Sequence, residues 1–211
     1  MKKCALLAVL CAWTALVSAA RSQTVLFEEN FEKVAAGPMP KEFLALAGEF
    51  SVVVEDGNHL LRLPGSPLDT FGALFGPSNA EPGFVEARFH GTKSGRKFPT
   101  FGLSLRGAGG YRLQVSPGKG QLEIYKGDEP LVGVPFTWES GSWTRLKFSL
   151  KKGASGWVAE GWAWKEGGAP AGEPQVRWEI AGEPSAGRAA LWGSPFSGTA
   201  ISFDDLRWKT L

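Results

Sequence analysis

From about Thr24 to Leu211 the chain alternates apolar and polar residues in short runs, each closed by glycine, proline, asparagine or aspartate. Apolar residues two apart turn one face of an extended strand toward a core. No stretch carries the three-to-four spacing of a long amphipathic helix. The runs predict strands near Thr24–Phe31, Phe50–Glu55, His59–Leu63, Phe71–Phe75, Phe84–His90, Thr100–Arg106 and Tyr111–Ser116. Further strands are predicted near Gln121–Lys126, Leu131–Val134, Trp143–Lys151, Trp157–Lys165, Gln175–Ile180, Arg188–Trp192 and Thr199–Trp208. Asp56-Gly57-Asn58, Gly107-Ala108-Gly109-Gly110, Ser116-Pro117-Gly118, Gly127-Asp128 and Lys152-Gly153 suit the tight turns between them. An unbroken succession of short strands predicts an all-β fold, two antiparallel sheets packed face to face.

Strand parity then names a core. Leu146, Phe148 and Leu150 share one face, as do Phe101, Leu103 and Leu105, Leu122 and Ile124, and Val176, Trp178 and Ile180. Trp178 and Trp143 are read as filling the gap between the sheets, because aromatic side chains bury large areas. In the last strand Ile201 and Phe203 keep one register and Leu206 and Trp208 another, so a bulge is expected at Asp204-Asp205. Residues 166–174, rich in glycine and proline, form a loop within one domain, since too few strands follow to build a second core.

The first twenty residues differ in kind. Lys2 and Lys3 precede an apolar run, Cys4 to Val17, which ends in the small residues Val17-Ser18-Ala19-Ala20. This is the pattern of a cleaved secretory signal, too short to span a bilayer. The expected organisation is a signal peptide at 1–20 and one domain at 21–211, secreted or periplasmic. Both cysteines, Cys4 and Cys11, fall in the signal, so the mature chain has no disulfide, thiolate metal site or cysteine nucleophile. Without Lys2 and Lys3, 21 basic residues face 21 acidic ones, interspersed and without the basic stripe that a nucleic-acid partner calls for. After signal cleavage no segment is apolar enough for a membrane.

Taken in order, Phe27-Glu28-Glu29-Asn30-Phe31-Glu32, Gly48 to Gly57, Gly110-Tyr111-Arg112-Leu113-Gln114-Val115, Ser142 to Phe148, Gly187 to Trp192 and Ile201 to Trp208 resemble the concanavalin A-like lectin/glucanase jelly rolls. Within these the chain is most similar to the exported 3-keto-disaccharide hydrolase-like group. The resemblance covers nearly the whole mature chain. It implies a two-sheet antiparallel jelly-roll sandwich and a carbohydrate partner, and it implies fold more firmly than activity.

Candidate chemistry is sparse. A retaining glycosidase needs two carboxylates about 5 Å apart, and the glucanases of this superfamily carry them as Glu-x-Asp-x-x-Glu on one strand, a motif absent here. Glu86, Arg88 and His90 share a strand face and read either as a polar binding row or as a solvated outer face. Eight tryptophans remain after the signal is removed. Glu160, Trp162 and Trp164 share one strand face, and the two tryptophans read either as filling between the sheets or, with Glu160, as the best candidate sugar platform, stacking surface beside an acceptor. A carboxylate next to two tryptophans would need a partner if buried, so partial exposure is expected. If the terminal strands pair, Asp205 at the bulge could face Glu29 or Glu32, and carboxylates there would suit a structural Ca²⁺, which related jelly rolls often hold near their termini; the alternative is a solvent-exposed acidic pair bonded to loop amides. The leading expectation is a carbohydrate-binding jelly roll without glucanase activity. The alternatives are a hydrolase or lyase acting on 3-keto-glycosides and a structural or adhesive surface module.

Overall fold

The structure is a computed structural model that describes residues 23–65 and 69–211. The signal segment and both cysteines lie outside the described residues. Two sheets, every pairing antiparallel, make up the fold. One has nine strands in the order β14 (Val176–Ile180), β13 (Trp157–Lys165), β12 (Thr144–Lys152), β7 (Gly83–His90), β16 (Ile201–Thr210), β5 (Asn58–Leu63), β4 (Ser51–Glu55) and β2 (Gly37–Pro38), with β1 (Val25–Glu29) also on β16. The other has seven, in the order β11 (Glu129–Pro135), β10 (Gln121–Lys126), β9 (Tyr111–Ser116), β8 (Thr100–Leu105), β15 (Gly187–Ser194), β6 (Phe71–Asn79) and β3 (Leu44–Ala47). Each predicted strand has a counterpart. β2 and β3 are additional: β2 is two residues ending in proline, and Leu44-Ala45-Leu46-Ala47 is an edge strand exposed along its length, with no polar alternation to read.

The inner faces interleave as parity predicts. Leu146, Phe148, Leu150, Val176 and Ile180 from one sheet meet Phe101, Leu103, Leu105, Leu122 and Ile124 from the other in one core. At Gly161 in β13 a Cβ would lie 2.3 Å from Leu113 Cδ1 of β9, so the missing side chain lets the facing sheet close in. The expected bulge is present. The β16–β7 register shifts between Asp204 and Arg207, Asp205 takes φ 51°, and Ile201, Phe203, Leu206 and Trp208 are all buried. The bulge also marks a change of partner. Ile201–Phe203 pair with β5, and Leu206 to Lys209 pair with β1 along the same edge.

Two tryptophans correct the parity reading. Trp178 has the register of Val176 and Ile180, yet it is 36% exposed, because β14 is the edge of its sheet and packing there covers the strand ends but not its middle. Trp143 precedes β12 and lies outside the sandwich, against His90 at 5.4 Å and under the Arg88 guanidinium at 4.6 Å.

Candidate functional site

Glu86, Arg88, His90, Trp162, Trp164 and Asp205 lie on the outer face of the nine-stranded sheet, where charged neighbours engage most of them. Glu86, Arg88 and His90 point outward from β7, as parity requires. Arg88 donates to Asp204 Oδ2 at 2.5 Å and to Asn58 Oδ1 at 3.2 Å, and Asp204, buried, also accepts from Asn58 at 2.9 Å. Arg145 grips Glu166 through two nitrogens, at 2.6 and 3.1 Å, reaches Asp205 at 2.6 Å and stands 3.7 Å from Glu86. The guanidinium ion pairs hold this row as a lattice of charges. Trp162 and Trp164 are half-buried on the same face, opposite Lys147 and Arg145 of β12, with Lys147 Nζ 5.3 Å from the Trp162 ring. Glu160 departs from the expected partial exposure. It is 3% exposed and held by Lys151 at 2.7 Å and Arg177 at 3.6 Å.

The three carboxylates proposed for calcium are divided. Asp205 and Glu29 line one cleft of about 560 Å³, together with Glu28, Glu86, Arg145 and Arg207. Asp205 is ion-paired to Arg145, Glu29 accepts from the Phe31 amide at 2.7 Å, and Glu32 lies elsewhere, on the His59 amide at 3.3 Å. Among the described residues no three histidine, cysteine or acidic side chains stand close enough to hold a metal ion.

A different site emerges on the outer face of the seven-stranded sheet. Side chains turned away from the core should be wet, yet on β8, β9, β10 and β15 Ser104, Arg112, Ser116, Glu123, Tyr125 and Ser194 are all buried. Of these, Arg112, Ser116, Tyr125 and Ser194 line a groove of about 390 Å³, and residues 94–98, 117–120 and 194–198 add Arg96, Phe98, Lys119 and Phe196 to its lining. The β9–β10 hairpin sets the floor. Its register places Arg112 opposite Tyr125 and Gln114 opposite Glu123. Gln114 donates to Ser116 Oγ at 3.0 Å, Ser116 donates to Glu123 Oε2 at 2.5 Å, Tyr125 donates to the same oxygen at 3.1 Å, and Lys119 donates to Glu123 Oε1 at 2.9 Å and to Tyr125 Oη at 3.0 Å. Every part of this buried carboxylate is therefore engaged, which a buried acid requires.

Arg112 lies between two aromatic rings, its Cζ 4.9 Å from the Tyr125 centroid and 5.1 Å from that of Trp192. The Trp192 indole rests over Gly72, where a Cβ would meet it at 2.9 Å, and donates to Ser104 Oγ at 2.8 Å. Burial lowers the Arg112 pKa, with Asp128 the leading opposing influence, and the hydrogen bonds to Tyr125 and Glu123 raise that of Lys119. No aspartate or glutamate is among the described residues lining the groove, and Glu123 lies beneath them. The groove thus offers hydroxyls, an amide, aromatic edges and cations, without the opposed carboxylate pair of a retaining glycosidase. None of these residues was singled out from the sequence as a site. The available signal was the alternation Arg112, Gln114, Ser116 and Gln121, Glu123, Tyr125 across a Ser-Pro-Gly turn.

No family model matches the chain, and no curated protein matches its sequence. Solved structures do match in fold. Lectin I-B4 from Griffonia simplicifolia, in metal-free form, superposes with a TM-score of 0.59 at 10% identity over 90% of this chain and 100% of that one. The PL-14 alginate lyase from Aplysia kurodai gives 0.58 at 12% identity, over 89% and 100%. The carbohydrate binding module CBM66 from Bacillus subtilis gives 0.55 at 11% identity, over 80% and 96%. Strand order, sheet pairing and these superpositions agree that the chain has the concanavalin A-like lectin/glucanase fold, an antiparallel jelly roll.

Proposed function

We propose that the mature chain works outside the cytoplasm as a carbohydrate-binding jelly roll, with the sugar held in the groove on the seven-stranded sheet. One observation carries the reading: on the outward side of β8, β9, β10 and β15 six polar or aromatic residues, Ser104, Arg112, Ser116, Glu123, Tyr125 and Ser194, are buried, and a groove lies against them. Sugars present apolar C–H faces and directional hydroxyls. Phe98 and Phe196 supply rim surface for the first, and Thr70, Thr100, Gln114 and Ser194 supply partners for the second. The fold is shared with a lectin, a carbohydrate binding module and a polysaccharide lyase, which supports a saccharide ligand and leaves activity open. A calorimetric screen of polysaccharides and their oligomers tests the reading. Binding lost in Phe196→Ala and Phe98→Ala, with unchanged melting, supports it. Binding that survives both changes and is lost in Trp162→Ala moves the site to the other sheet.

The second reading, a hydrolase or lyase acting on 3-keto-glycosides, draws on Tyr125, whose phenol touches both Lys119 and Glu123. A phenol in such a chain can relay a proton. Release of product from a 3-keto-glycoside, lost in Tyr125→Phe, would favour it over simple binding.

A further inference from the structure

We infer that the groove selects an acidic sugar, a saccharide bearing ring carboxylates, with Arg112 and Lys119 as the groups that receive the carboxylate. The inference rests on the groove being the sugar site and adds the class of sugar.

The mature chain balances its charges residue for residue, and they are interspersed along the sequence. The groove departs from that balance. Arg96, Arg112 and Lys119 line it, none of its described lining residues is acidic, and Glu123 beneath offsets one of the three cations through Lys119. Low-dielectric walls strengthen the attraction of such a cluster for an anion.

Arg112 has the features of a prepared receptor. It is 7% exposed, and its Nε has no hydrogen-bond partner among the described residues. Its nearest carboxylate, that of Asp128, is 4.0 Å away and fully exposed to solvent. A buried guanidinium without a close acceptor is costly, and a ligand carboxylate would relieve it. The Tyr125 and Trp192 rings crowd its Cζ, at 4.9 and 5.1 Å, so an acceptor would meet its N–H groups from the groove that Arg112 lines. A planar carboxylate accepts two parallel N–H bonds from such a fork. Lys119 Nζ lies 5.7 Å from the Tyr125 ring centroid and 3.0 Å from its hydroxyl, so both cations border one aromatic ring. The neutral donors and acceptors beside them, Gln114, Thr100 and Ser194, suit the remaining hydroxyls.

The test is titration calorimetry of the mature chain with tetrasaccharides of galacturonate, glucuronate and mannuronate, beside neutral tetrasaccharides of galactose, glucose and mannose and a sulfated galactose tetrasaccharide. At least one uronate should bind about tenfold or more tighter than its neutral counterpart. That advantage should shrink as salt rises from about 0.05 to about 0.5 M. Arg112→Lys should remove most of it, since an ammonium cannot replace the fork. Because Arg112 is buried, Lys119→Met, at an exposed side chain, serves as the second variant and should weaken uronate binding severalfold while the chain stays folded, with a modest drop in melting temperature from the lost Glu123 contact. Uronate and neutral sugars bound equally, with Lys119→Met indistinguishable from wild type, would overturn this inference while leaving the sugar site standing. Tighter binding of the sulfated sugar would overturn the choice of carboxylate. No binding to any saccharide would overturn the sugar reading itself, and this inference with it.

Discussion

Arg112 and Tyr125 are direct partners across the β9–β10 hairpin, and the Arg112 Cζ lies 4.9 Å from the Tyr125 ring on the face of the sheet turned away from the core. That pairing makes the outer surface of this sheet something other than a solvated face. A guanidinium stacked there is shielded from water, and the loops that shield it also create the groove.

The core assignment predicts the largest losses of stability. Leu146 and Phe148 are fully buried in the shared core. Leu146→Ala or Phe148→Ala should cost about 2–5 kcal/mol, read from urea midpoints. Trp178→Ala, at an exposed edge-strand position, should move the midpoint far less. Midpoints equal to wild type for the first two would mean that the strand faces are inverted.

Asp204 is 1% exposed and binds both Arg88 and Asn58. Asp204→Ala removes the closer counter-charge of Arg88, leaving Asp205 at 3.4 Å, so the loss should fall at or below the about 3–5 kcal/mol of a buried pair broken on one side. Double replacement, Asp204→Leu with Arg88→Met, should recover part of that loss. Thermal and urea unfolding of the three variants measure the difference.

Stability should fall at alkaline pH. Hydrogen bonds to Tyr125 and Glu123 raise the pKa of Lys119 above 10.5, and burial raises that of Tyr111 above 10.0. In both cases the folded state holds its proton more tightly than the unfolded state. The stabilisation is therefore complete below about pH 10 and is lost as pH climbs through the folded values. Lys119 is more than half exposed, so solvent weakens its share and Tyr111→Phe should flatten the decline more than Lys119→Met. A melting temperature that rises between pH 9 and 11 would contradict this sign.

Much of the fold could be read from sequence because burial imposes a period of two. Tyr111–Ser116, Gln121–Lys126 and Trp157–Lys165 occur with the predicted ends. The Asp204-Asp205 bulge followed from two apolar pairs in different registers. The site was less legible. Parity put Glu86, Arg88 and His90 on one face and Trp162 and Trp164 on another, but it could not show that both faces turn outward or that Arg145 and Lys147 of the strand between them would occupy the space. Nor could it show which outer face residues 94–98 and 194–198 fold over. That depends on contacts between segments about a hundred residues apart, whereas the Arg112/Tyr125 pair depends only on a hairpin register.

Export is tested separately, by the intact mass of the protein recovered from its native host. Loss of 19 or 20 residues, giving a chain that starts at Ala20 or Arg21, is the expected outcome of signal cleavage. A full-length chain retained in the cytoplasm would contradict it.

The central claim is that ligand binds the seven-stranded face, and a nitrogen–proton NMR titration of the mature chain with the uronate tetrasaccharides reads it most directly. The account predicts that the Trp192 indole N–H and the backbone amides of Gln114, Ser116 and Lys119 shift on saturation, while the Trp162 and Trp164 indole signals stay in place. Shifts confined to Trp162 and Trp164, with Trp192 and the β9 amides unmoved, would contradict it.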